Sequence, residues 1–206
     1  LDHLRHLAPP LVLERLERLG LIVVAEDGQR RPVRMSHPLY AELVLARVGR
    51  IRELAVHRQL ADELATLGTR RRGDLLALAR SRLLGGGDAS SELWLSAAGQ
   101  AYLEHDLDLA IDLAAAARRE GGGPQADIIA AKAYIEMGRQ EDAAAALVRA
   151  LHEAKEDHDI VVAAMDLSVI QFWSFGHEDQ ALATVQDARA RVRGQLSYAH
   201  LDALLA

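Results

Sequence analysis

Three alanines set the terms for the larger part of this chain. Ala110, Ala143 and Ala181 each open a second helical run after a small or polar loop. Seven residues after each is another alanine, Ala117, Ala150 and Ala188, and four after each is Ala114, Leu147 or Val185. That spacing keeps the set on one helix face. Five before the second and third leading alanines is a glycine, Gly138 and Gly176, and nine before them an aromatic, Tyr134 and Phe172. The leading alanines are 33 and 38 residues apart. Small residues let two helices approach, the glycine permits a tight reversal, and the aromatic fills the gap between hairpins. The pattern predicts stacked helical hairpins within residues 91–206.

Composition agrees with a helical reading. Half of the 206 residues are hydrophobic, which excludes a largely disordered chain. Only 4% are aromatic, and none of the 5 prolines lies beyond Pro124. Charged residues interrupt every apolar run, so no membrane span is expected. The absence of cysteine removes disulfides, thiolate metal sites and cysteine nucleophiles, and it points to a reducing, cytoplasmic setting. Residues 1–72 hold 13 arginines against 9 acidic residues. Residues 73–206 hold 11 basic against 21 acidic, a poor surface for a nucleic-acid backbone. The chain starts at Leu1 and stops at Ala206 inside an apolar helical pattern, and it reads as an internal piece of a longer protein.

Residues 1–68 follow a different plan. Pro9 and Pro10 open a helix carrying Leu13, Leu16 and Leu19, which Gly20 stops. A short β-branched run from Leu21 to Val24, the Asp27-Gly28 turn pair and a return over 32–35 predict a hairpin. His37-Pro38 opens a helix with Leu39, Leu43 and Ala46 on one face, and a longer helix covers 51–67. Helix, two-stranded wing, helix is the order of a winged-helix domain. Residues 69–90 read as a connecting helix and hinge, with glycine at 85–87 and again at 121–123 giving flexible breaks.

Catalytic motifs are not found. No phosphate-binding G-x-x-x-x-G-K-[ST] occurs and no G-x-S-x-G elbow, so the chain alone is not expected to be an enzyme. His3 with His6, and His152, Glu153, Asp157 and His158, lack metal-ligand spacing and read as solvated faces, with no metal expected. Phe172, Trp173 and Phe175 read as repeat core, with a ligand-binding concave surface as the alternative. Arg30, Arg31 and Arg34 lie on or beside the wing, where they could meet phosphates. Glu14 and Glu17 oppose DNA binding by the preceding helix, and Glu14 reads as an i,i+4 partner of Arg18.

The alanine and glycine pattern resembles the tetratricopeptide repeat over residues 91–193. Trp94, sixteen before Ala110, stands where the first repeat of that family carries its tryptophan. His105 in place of the turn glycine, and the unequal spacing, make the repeats degenerate. The run from Leu16 to Ile22, the wing, Met35-Ser-His-Pro-Leu-Tyr40 and the helix ending at Leu64 look like the winged helix of large LuxR-type regulators, signal-transduction ATPases with numerous domains. That resemblance implies a mainly α fragment: a winged helix, then an α-α superhelix of repeats. It places an ATPase domain before this chain and a DNA-binding domain after it. ATP or ADP would belong to the whole protein and no cofactor to the fragment. The repeats would receive a protein or small-molecule inducer. His37 matches the histidine that reaches the nucleotide β-phosphate in related ATPases, and a simple helix cap is its other reading. The alternatives are a repeat scaffold for protein binding and a small winged-helix DNA-binding regulator.

Overall fold

The computed structural model describes residues 7–25, 33–68, 73–194, 199 and 201–202. Over these the chain is mainly helical, with ten α-helices, one π-helical turn and one two-stranded antiparallel sheet. It divides into two compact units, Leu1–Asp88 and Ala89–Ala206.

In the first unit α1 (Pro10–Arg18) begins on a proline, whose missing N–H is an orphan there in any case. Strands β1 (Ile22–Val24) and β2 (Val33–Met35) pair with Ile22 opposite Met35 and Val24 opposite Val33. The Ser36 hydroxyl donates to the Gly20 carbonyl and the Ser36 N–H to that of Leu21 at 3.0 Å, which closes the ribbon against the end of α1. Helices α2 (Pro38–Leu45), α3 (Arg50–Leu67) and α4 (Asp74–Gly85) follow. The Asp27-Gly28 turn, Arg30 and Arg31 lie outside the described residues.

Leu39, Leu43 and Ala46 are all exposed, and α2, which touches β2, has no buried residue. Glu14 and Arg18 form no ion pair. The connecting helix α4 lies along α3. A Cβ at position 85 would stand 3.0 Å from the Arg58 backbone nitrogen, closer than ordinary packing, so glycine suits this contact, and Arg58 Nε donates to the Gly85 carbonyl at 2.7 Å. Gly85 is the last residue of α4 and Gly86 its left-handed cap, near the end of the first unit.

The second unit is a run of helical hairpins. Helices α5 (Ser91–Leu103) and α6 (Leu107–Arg119) form the first. Helices α7 (Gly123–Glu136) and α8 (Gln140–Glu153) form the second. The third pairs α9 (Asp157–Val169), prolonged by a π-turn (Ile170–Ser174), with α10 (Glu178–Arg191). Each helix packs on the next, and α5, α7 and α9 also touch in series, so the first helices of the hairpins share a face. All six marker alanines are buried, as are Ala114, Leu147 and Val185. Ala110, Ala143 and Ala181 stand at the fourth residue of α6, α8 and α10, one turn in from where they were expected. Each donates its N–H to the residue just before its helix, at 2.9, 3.1 and 3.0 Å. Trp94 is buried in the first hairpin.

The turn position is conformationally equivalent in all three hairpins. Gly138 and Gly176 take φ values of 72 and 68°, and His105, which replaces glycine in the first, is forced to 60°. A left-handed residue with a Cβ costs about 1 kcal/mol. His105→Gly should therefore raise stability by up to about 1 kcal/mol in chemical denaturation, and Gly138→His should lower it by a similar amount.

The longer spacing of the last hairpin lies within helices, not in a loop. α9 and its π-turn run 13 and 5 residues against 14 for α7, and α8 has 14 against 13 for α6. The π-turn also corrects the reading of Phe172. Its extra residue rotates later side chains by about 100°. Phe172 is 42% exposed, and Phe175 packs on the core instead. Tyr134 does pack on that core, with the Arg139 guanidinium 4.5 Å from its ring centre.

Candidate functional site

Three features of the second unit exceed what stacking requires. The first is a charge cluster inside the repeat. Asp127 lies sixteen residues before Ala143, the place Trp94 holds before Ala110, yet it is only 3% exposed. Arg149 Nη2 donates to its Oδ1 at 2.9 Å, and Arg118 Nη1 stands 2.5 Å from Oδ2. Arg118 also donates to Glu153, whose carboxyl it holds below the usual range. A buried carboxylate is tolerable only with such partners. The arrangement ties α6, α7 and α8 together and is structural in character.

The second feature is the face shared by α5, α7 and α9. Glu136 accepts a hydrogen bond from the Tyr102 phenol and pushes its pKa up to about 12, with help from burial and from the charge of Asp166. Burial raises the Asp166 carboxyl, and Lys132 partly opposes this. Tyr102, Lys132, Glu136 and Asp166 therefore sense one another across three helices. The ionised form of Asp166 is disfavoured in the fold, so its cost is full above its raised pKa and vanishes below the unfolded value of about 3.9. Asp166→Asn should then stabilise the protein at neutral pH, and the gain should fade in melts as pH drops to about 4.

The third feature is an open groove of about 440 Å³ between the π-turn and α10. Val169, Phe172, Trp173 and Leu182 line it and are exposed, with Glu178 and Asp179 at one edge. It supplies binding surface and no nucleophile–base pair.

The other candidates stand apart from these. His37 caps α2: its Nδ1 accepts the Leu39 N–H at 3.1 Å, and its ring lies 5.9 Å from that of Tyr40. Arg34 lies on β2, exposed, opposite Val23. Glu153 is engaged by Arg118, and Asp157 accepts the N–H groups of Arg193 and Gly194 at 2.9 and 2.6 Å. No group of three metal-ligating residues occurs among the described residues, and His3 and His6 lie outside them. No described helix is long and apolar enough to cross a membrane. The Asp127 cluster was missed from sequence, although a carboxylate at a tryptophan position was its signal. Compared with protein-family models, curated proteins and solved structures, the chain matches none.

Proposed function

We propose that this chain is the relay portion of a LuxR-type ATP-binding regulator, with a winged helix in residues 1–68 and a tetratricopeptide-like superhelix in 91–206. One observation carries the reading. Among the described residues up to Val48, Ile22 is the one buried hydrophobic side chain, while Leu11, Leu19, Leu39, Leu43, Val44 and Leu45 are all exposed. So many large apolar side chains left exposed mark elements seated on a neighbour. Here the neighbour is the nucleotide-binding domain of the same protein, which holds ATP or ADP and does the chemistry. This chain is not itself the enzyme.

The two readings of His37 are compatible. With Nδ1 accepting from Leu39, the neutral ring carries its proton on Nε2, which is free to donate to a phosphate oxygen. The repeats take a protein partner or small-molecule inducer, and a separate domain reads DNA in the cytoplasm. Binding shifts the balance of two states by its differential affinity for them. The hairpin at Ile22–Met35 favours this over a plain repeat scaffold, which needs no ribbon there.

Calorimetric titration of ADP tests the reading. The chain alone should bind none, and a longer protein including the preceding domain should bind. His37→Ala in that protein should weaken binding about tenfold, the worth of one hydrogen bond to a charged group. Tight binding and turnover by this chain alone would contradict it.

A further inference from the structure

The π-turn gives the third hairpin a surface the second lacks. Tyr134 is tucked against the core, whereas Phe172 and Trp173 turn outward and stack edge to face, 5.0 Å apart. Trp173 is 79% exposed. π-Turns inside α-helices concentrate at functional sites, and an indole left in water forgoes most of its burial energy. Two helices wall the groove, so it takes the ridge of a third helix rather than a strand. Its charged lining groups, Glu178 and Asp179, are both acidic, and neither forms an ion pair among the described residues.

We propose that this groove receives an amphipathic basic helix of a partner protein. Apolar side chains one turn apart would lie against Phe172, Trp173 and Leu182, with a lysine or arginine beside Glu178 and Asp179. A second copy docking through the same unit is disfavoured, because residues 73–206 hold 21 acidic against 11 basic residues and would meet Glu178 and Asp179 with like charge. The inference rests on the repeats being the partner-receiving element and deepens that reading by giving the partner's chemistry.

Trp173 reports on its own site, since the one other tryptophan, Trp94, is buried. The probes are two designed helical peptides with the same leucine face, one flanked by lysine and one by glutamate. The leucine–lysine helix should shift Trp173 emission to the blue and bind at least about tenfold more tightly than the leucine–glutamate helix. Glu178→Gln with Asp179→Asn should remove that preference while circular dichroism stays unchanged. No shift with either peptide, or equal affinity for both, overturns the proposal. So does emission already blue in a Trp94→Phe variant, where Trp173 is the one tryptophan left, which would mean that the chain's own C-terminal residues fill the groove. A blue shift growing with protein concentration, the mark of a second copy, also overturns it. Failure of ADP binding in the longer protein, with peptide binding intact, would defeat the regulator reading and leave the groove standing.

Discussion

Ala143→Leu lowers the stability of the second unit by about 2–3 kcal/mol, seen as a fall of about 10 °C in the melting midpoint. Ala143 is fully buried in a cluster with Ile128, Ala131, Ala163 and Leu167. It sits where α8 meets its neighbours, and the added branch has no space to enter. The same substitution at Ala145, two residues on and exposed, is the control and should stay within about 0.5 kcal/mol of wild type. Equal effects at the two positions would mean that α8 does not present the Ala143 face to other helices.

Asp127→Ala should cost about 3 kcal/mol, the low end for breaking a buried ion pair. The low end applies because the arginines left behind are partly exposed and can recover water: Arg118 is 31% and Arg149 50% exposed. Removing the carboxylate frees both arginines from α7 at once, so the loss should appear as weaker cohesion between the first two hairpins. Arg118→Ala and Asp127→Ala should be far from additive in a double-mutant cycle of denaturation free energies. Additive losses would show that the contacts carry no coupling. The cluster should also weaken in acid. The Glu153 carboxyl is held below its usual range by Arg118, so its contribution is present above the ordinary glutamate pKa, about 4.3. It is lost as pH falls through the lower folded value.

The second unit was legible because helix contact writes itself into side-chain size. Every alanine singled out by spacing is buried, and both turn glycines take the left-handed conformation. What spacing missed follows from the same physics. His105 shows that the turn demands a conformation, not a residue, at a modest energetic cost. Asp127 shows that a hydrophobic position can take a charge once two arginines come from other helices, which local sequence does not reveal. The π-turn adds a residue without a sequence mark, so counting nine back from Ala181 pointed to Phe172 when Phe175 does the packing. In the first unit the element order was readable but the packing was not. An apolar helix face cannot say what it packs against, and α2, though it touches β2, keeps Leu39, Leu43, Val44 and Leu45 exposed.

The account stands on those alanines being enclosed between helices, and the chain's lack of cysteine gives a direct way to ask. Single Ala→Cys variants at 110, 143 and 181, each nearly the same size as the residue replaced, are exposed to a thiol reagent under native conditions. Labelling should require opening of the fold and run at least about a hundredfold slower than at an Ala145→Cys control. Labelling at the control rate at all three sites would contradict the stacked-hairpin account.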